Sequence, residues 1–236
     1  MMKDLINVSE QSQKTMSRSE LDLYKKSLVL NDIQRECIIG TLLGDASIMK
    51  PLKNHYNPNI KWEQGIQNRQ YIDHIYEIMH PWVGSPPVIR NIQGGGVLDR
   101  QSVWFKTYQH PSFRFYNQEF YMQDSDLENR RRKRIPRLLH RWLTPRVLAY
   151  WFMDDGNLTP HGYVINTQCY PLHEQKLAAH VLGMNFGLEI SIWKDRINSR
   201  SKSPSYKLYI NASSRQSFTD IISPYILECM SYKLHL

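Results

Sequence analysis

Two stretches of the chain stand apart by their hydrophobic pattern. Leu148-Ala149-Tyr150-Trp151-Phe152-Met153-Asp154-Asp155-Gly156 is apolar for six residues and then ends in two acids and a glycine. Ile38-Ile39-Gly40-Thr41-Leu42-Leu43-Gly44-Asp45-Ala46 has the same shape, largely apolar and then closing on an aspartate. An ordinary core helix has no use for acids at its end, where the helix dipole disfavours them. Aligned on Asp45 and Asp155, the two runs divide the protein into comparable halves.

The pattern between them predicts the remaining elements. Residues 1–20, rich in Ser, Gln and Glu, read as a disordered arm. A short helix over 21–30 precedes a cap at Asn31 or Asp32 and a helix running to Asp45. Gly40 and Gly44 lie on one face of that helix. Missing side chains there suit the close approach of a second helix, against a propensity cost of about 1 kcal/mol each. Strands follow over 59–66, 87–92 and 102–108, with helices over 69–80 and 113–121. In the third strand Val103 and Phe105 share one face, Trp104 and Tyr108 the other. Gly94-Gly95-Gly96 is a flexible turn without the helix signature of a phosphate loop. The second half repeats the order: helix 145–155, strand 162–167, helix 172–185, strands 188–194 and 205–211, and a helical stretch 218–230 interrupted at Pro224. In the helix over 172–185, Leu177, His180, Val181 and Met184 form the predicted core face, with His180 at its edge. The class is α+β, a duplicated αββαββ plan with one antiparallel sheet per half, each burying one face under helices. The expected organisation is an arm (1–20), a first half (21–128), a basic linker (129–144) and a second half (145–236).

Charge narrows the partners. A formal charge of +8 and a pI near 9.3, beside six Trp and fourteen Tyr, favour polyanions, nucleic acid first and anionic membrane second. No long charge-free run suggests a membrane span, and the start lacks the features of a secretory signal or transit peptide. Cys37, Cys169 and Cys229 are odd in number and far apart, without zinc-ligand spacing, and read as buried thiols in a reducing compartment. The run Arg130-Arg131-Arg132-Lys133-Arg134 sits at the junction of the halves, ended by Ile135-Pro136, where it suits phosphate contact.

If the two apolar helices pack side by side, Asp45 and Asp155 fall together at one end. Like charges so close, and partly desolvated, require a shared cation. Magnesium suits carboxylate, carbonyl and phosphate oxygens, and two acids holding metal against phosphate is a hydrolase arrangement.

At these residues the sequence resembles the LAGLIDADG homing endonucleases in their single-chain, double-motif form. Ile38 to Ala46 matches the first motif and Leu148 to Gly156 the second, with Asp45 and Asp155 at the functional aspartates. Lys133-Arg134-Ile135-Pro136, Leu143-Thr144-Pro145 and Tyr232-Lys233-Leu234 extend the likeness, which covers about residues 21–236. Motif one departs from the pattern in ending on Ala46, in Gly44 before its aspartate and in Thr41. The resemblance implies two pseudo-twofold-related αββαββα halves forming a DNA-binding saddle of two antiparallel sheets. It implies that Asp45 and Asp155 hold Mg2+, with Mn2+ able to substitute, and that Lys133 and Lys233 serve the active centre as catalytic residues. The activity implied is intron homing by a monomer that cleaves a long, asymmetric double-stranded target and leaves 3′ overhangs. The setting implied is the mitochondrion, with the plastid as alternative. Residues placed to read bases or phosphates are Lys61, Gln64, Gln67, Arg90, Gln93, Arg100 and Lys106 in the first half. In the junction and second half they are Arg130, Arg131, Arg132, Gln168, Lys194, Arg196, Lys202 and Lys207. The alternative is a maturase binding group I intron RNA, alone or beside cleavage; a basic DNA-binding regulator is a third reading, without an appended helix-turn-helix to support it.

Overall fold

A computed structural model describes residues 16–49, 56–92, 100–123, 131–197 and 204–234. The Gly94–Gly96 turn and the candidates Gln93, Arg130 and Lys202 fall outside them, as do residues 1–15. The first element begins earlier than the pattern predicts. Ser17 opens α1 (Arg18–Ser27) through a capping box: its hydroxyl accepts from Glu20 N and the Glu20 carboxylate accepts from Ser17 N at 2.7 Å. Residues 18–20 are therefore helical, which corrects the arm expected through residue 20. Asn31 then starts α2 (Asp32–Leu43) with the same reciprocal device, exchanging hydrogen bonds with Gln34.

The described residues form two compact units, one of residues up to 35 with 45–114, the other of 36–44 with 115 onward. This grouping departs from a division by sequence halves, because most of α2 packs among second-half residues.

In the first unit β1 (Ser47–Met49), β2 (Asn59–Gly65), β3 (Val88–Asn91) and β4 (Gln101–Lys106) form an antiparallel sheet in the order β1-β2-β4-β3. Alternation puts Ile48, Ile60, Trp62, Val103 and Phe105 inside, against Tyr71, Ile72, Ile75, Tyr76 and Met79 of α3 (Arg69–Met79). Trp62 stacks on Phe105 at 5.0 Å and Tyr76 meets it edge-on at 5.5 Å. The opposite face carries Lys61, Glu63, Ser102, Trp104 and Lys106, aligned by the register Lys61↔Lys106 and Glu63↔Trp104.

Residues 131–144 of the expected linker are structured. After α4 (Phe113–Phe120), β5 (Tyr121–Gln123) pairs with β6 (Arg131–Lys133), and α5 (Leu139–Trp142) follows with Ile135, Leu139 and Leu143 buried. Thr144 caps α6 (Pro145–Asp155), with proline at its first position where a missing N–H costs nothing. The second sheet then repeats the first, β7 (Gly156–Leu158), β8 (Tyr163–Ile165), β9 (Ile190–Ile197) and β10 (Pro204–Ile210) in the order β7-β8-β10-β9. The short strands β1 and β7, each directly after a motif helix, lie outside the strands that the pattern predicts.

The helix α7 (Leu172–Phe186) corrects the predicted face. Glu174, Gln175, Ala178, Val181 and Leu182 are buried, whereas His180 is exposed and Met184 is 72% exposed. Two polar residues hold the buried stripe because their partners satisfy them. Gln175 bonds Thr167, Tyr170 and Tyr206, and Glu174 receives Arg132 and the Ile135 N–H. Gly187 ends the helix in the left-handed region, φ 67°. The chain closes with α8 (Arg215–Ile222) and two 3-10 turns, the first containing Pro224 and the second spanning Glu228–Lys233. Among the described residues no helix is long and apolar enough to cross a membrane.

Candidate active site

The second unit contains residues 36–44 and the whole of α6, and the glycines of the former bring the two together. A Cβ added at Gly40 would lie 2.5 Å from Tyr150 Cβ and 2.6 Å from the Val147 carbonyl oxygen. One added at Gly44 would run into Asp154. The seam between residues 36–44 and α6 is thus closed by bare backbone. Its polar atoms are matched across the interface. The Cys37 thiol hydrogen-bonds Tyr150, and burial, first among causes, raises both their pKa values far above the ordinary range. Farther along, Glu36 accepts from Thr144 at 2.6 Å and from Arg146 at 3.1 Å.

The functional end of each helix is its last turn, where carbonyls have no partner within the helix. Several of these carbonyls find a donor from a distant segment. Tyr170 donates its hydroxyl to Leu43 O at 2.7 Å, and Lys133 its ammonium to Gly44 O at 2.6 Å. On α6, Lys233 donates to Met153 O at 2.5 Å and Asp154 O at 3.3 Å, and Asn166 gives both its N–H and its amide to Asp155 O at 2.9 Å. Each lysine therefore sits on the negative end of one motif helix, the favoured place for a cation. Asp155 itself is half-buried. Its carboxylate and the Lys133 ammonium both act on the Cys169 thiol, which is pushed up to about 11, first by desolvation and then by Asp155, against the pull of Lys133. Cys169 is an exposed residue and Cys229 partly exposed, so only Cys37 meets the expectation of buried thiols.

In the first unit Asp45 is exposed and receives the Gln64 amide at 2.7 Å. It stands at one end of a groove of about 680 Å³ over the outer sheet face, lined also by Ser47, Lys61, Glu63, Gln67 and Arg100. Glu63 organises that face: Lys61 at 2.6 Å, Arg90 Nε at 2.7 Å and Ser102 at 2.6 Å all donate to it. Burial works to raise its pKa, but the bonds from Lys61, Ser102 and Arg90 hold it below the usual carboxylate value.

The sequence pattern of the LAGLIDADG DNA endonuclease family matches residues 35–218, most of the chain. The chain belongs to the LAGLIDADG family. It is similar to a probable intron-encoded endonuclease of Wickerhamomyces canadensis, 30% identical over 90% of this chain and 88% of the relative. It is also similar to the cytochrome b mRNA maturase bI2 of Saccharomyces cerevisiae, 26% identical over 98% of this chain and 52% of that protein. Among solved structures, the homing endonuclease I-WcaI bound to its DNA recognition sequence aligns over 96% of this chain and 98% of its own, with a TM-score of 0.81 and 27% identity. The protein thus has the two helix–sheet halves of the double-motif LAGLIDADG architecture, and is an enzyme of the site-specific DNA endonuclease kind.

Within this LAGLIDADG chain the sequence-derived candidates fall into distinct groups. Lys61, Gln67, Arg90, Arg100 and Lys106 lie on or beside the outer face of the first sheet, whereas Gln64 turns to Asp45. In the second sheet Lys207 pairs with Asp195 at 3.0 Å, and Gln168 donates to the same carboxylate. Lys194 aligns with Tyr206, one step out of phase with Trp193 and Lys207, so it belongs to the strand parity of the buried Ile210 and Leu208 and not to the outer face. Arg196 lies within β9. Arg131 and Arg132 of the basic run are held by protein: Arg131 stacks on Tyr121 at 4.2 Å and donates to Asn117, and Arg132 pairs with Glu174 at 2.8 Å. They reach phosphate only by leaving those partners. The contacts of Gln64, Tyr170 and both lysines have no local signal, since each joins residues 19 or more positions apart.

Among the described residues no three His, Cys, Asp or Glu side chains form a group that could hold a metal ion. Magnesium does not demand one, because it binds through one or two carboxylates and completes its shell with water and phosphate oxygens. An exposed aspartate in an open polar groove, and a second at the end of α6, fit that donor set.

Proposed function

We propose that the chain is a metal-dependent homing endonuclease that hydrolyses both strands of a long, asymmetric DNA duplex as a monomer and leaves 3′ overhangs. The observation that carries this reading is the pair of lysines, Lys133 and Lys233, each drawn onto the carbonyl end of one motif helix beside its acid. Solvated surface lysines have no reason to converge on equivalent points of two helices. Asp45 and Asp155 would hold Mg2+, or Mn2+ in its place. When bound, such an ion polarises the phosphate and lowers the pKa of water. Gln64 orients the Asp45 carboxylate, and Asn166 fixes the backbone that carries Asp155. Lys133 and Lys233 offset charge that develops on the phosphate. Lys61, Gln67, Arg90, Arg100, Lys106, Gln168 and Lys207 contact base edges and phosphates along the two outer sheet faces. Two motifs in one chain with unlike strand residues favour a single polypeptide on an asymmetric site. The setting is an organellar intron, mitochondrial or, as the alternative, plastid.

The test is a magnesium-started digest of a supercoiled plasmid bearing the joined-exon site, with calcium as control. The parent should linearise it, while Asp45→Asn and Asp155→Asn bind without double-strand cleavage. A folded parent that binds tightly yet stays inert in magnesium and manganese would overturn the endonuclease reading. A variant that cuts like the parent would remove its aspartate from the site.

The likeness to a cytochrome b mRNA maturase over nearly the whole chain supports a second activity, assistance to group I intron RNA. If it is present, the double Asp→Asn variant should still accelerate splicing of the host intron in vitro.

A further inference from the structure

Among the described residues, the outer face of the second sheet sets one exposed aromatic among polar groups. Lys207, Asp195 and Gln168 are joined by hydrogen bonds at 3.0 and 3.2 Å, and Ser191 bonds Asn211 at 2.8 Å. Among them Trp193 on the edge strand β9 stacks on Tyr209 of β10, centroids 4.1 Å apart and planes 15° apart. Tyr209 is nearly buried and accepts from Thr159, while Trp193 remains 50% exposed. The indole is thus fixed from beneath and open above. Its counterpart in setting, Trp104 of the first sheet, lies under the Lys61 ammonium at 5.3 Å and is only partly exposed.

An exposed indole on a rigid support costs little entropy to use in binding and leaves apolar surface in water until something covers it. The major groove offers acceptors and donors on every base, and a single apolar group, the C5-methyl of thymine. An apolar island within a hydrogen-bonding face therefore matches one base and one atom.

We propose that Trp193, held by Tyr209, reads the C5-methyl of a thymine in the target duplex and is a specificity-determining residue of the second sheet. This rests on the DNA endonuclease reading above. The contact requires no change in the stacked pair: the methyl approaches the open side of the indole while Lys207, in register beside it, keeps its ion pair with Asp195. Single-stranded RNA would use the same indole differently, by stacking a whole base on it. The favoured occupant is duplex DNA, because the neighbouring groups form a continuous polar face suited to paired base edges and the chain belongs to a DNA endonuclease family.

The experiment uses the full-length protein. A binding site is selected from a randomised duplex library, and each thymine in it is then replaced singly by deoxyuridine, which removes only the methyl. One position should weaken binding by the parent about fourfold, the effect of burying one methyl. Trp193→Ala should bind more weakly and lose the thymine preference at that position alone, and Trp193→Phe should restore it. A merely structural tryptophan would lower stability without erasing discrimination at one base. The proposal is overturned if no thymine in the site is sensitive, if the site lacks thymine in the half affected by Trp193→Ala, or if the variant keeps the parent's sensitivity. It is also overturned, in favour of base stacking, if Trp193→Ala leaves duplex binding intact and weakens binding to the intron RNA. Failure to select any duplex would instead refute the endonuclease reading itself.

Discussion

Gly40→Ala isolates the close approach on which the active-site end depends. The new Cβ would begin 2.5 Å from Tyr150 Cβ, where ordinary contact starts at 3.4 Å, so the seam must open by about 0.9 Å. Neither obstacle yields cheaply, since one is a Cβ and the other the Val147 backbone carbonyl. Overpacking of this kind costs about 1–3 kcal/mol, while replacing glycine within a helix returns about 1 kcal/mol of propensity. Gly183→Ala in α7 supplies the control: its Cβ meets only Leu188 O, at 3.4 Å, so it takes the propensity gain without the clash. The difference between the variants is then the overpacking cost alone, about 1–3 kcal/mol. Urea unfolding without DNA measures it, as a shift in midpoint at constant slope. The same opening carries Gly44 O away from Lys133, and a displacement near 1 Å at such a site costs about 100-fold in rate. Equal stability of the two variants, or undiminished cleavage by Gly40→Ala below its melting range, would refute the close-packed seam.

Lys133→Met and Lys233→Met should each leave a folded protein destabilised by at most about 2 kcal/mol, the upper worth of a cation at a helix C-terminus, yet cleave poorly; nicking assays would show full activity if the lysines only cap helices. Glu63 has a pKa below its unfolded value, so its contribution to stability is present above the unfolded carboxylate value of 4.5 and lost as pH falls through the lower folded value. Glu63→Gln should therefore flatten the acid limb of the stability profile, and an unchanged limb would remove the cluster from acid sensitivity. Arg131→Ala and Arg132→Ala should lower the melting temperature and leave the salt dependence of DNA binding nearly unchanged; a loss of about 0.9 unit of log–log slope per residue would instead assign them to phosphates.

The hydrophobic period by itself determined the helix over 145–155, the longer helices and strands that repeat around it and the presence of two related sheets. These follow from alternation and helical spacing, which act between neighbours in the chain. Gly40 and Gly44 likewise announced a close approach, because two missing side chains on one helix face leave only backbone to meet a partner. Tertiary structure alone decided which side of α7 is buried. Apolarity pointed to Leu177, His180, Val181 and Met184, but Glu174 and Gln175 occupy the interior because Arg132, Thr167, Tyr170 and Tyr206 satisfy them there. Chain folding also decided that Lys133 and Lys233 sit on carbonyls 89 and 80 residues away, that Gln64 turns to Asp45, and that Trp193 is open where Trp104 is covered. A side chain's period records which way it points from its own strand or helix; what it meets there belongs to a distant segment, and hydrogen-bond satisfaction by that segment outweighs hydrophobicity in placing it.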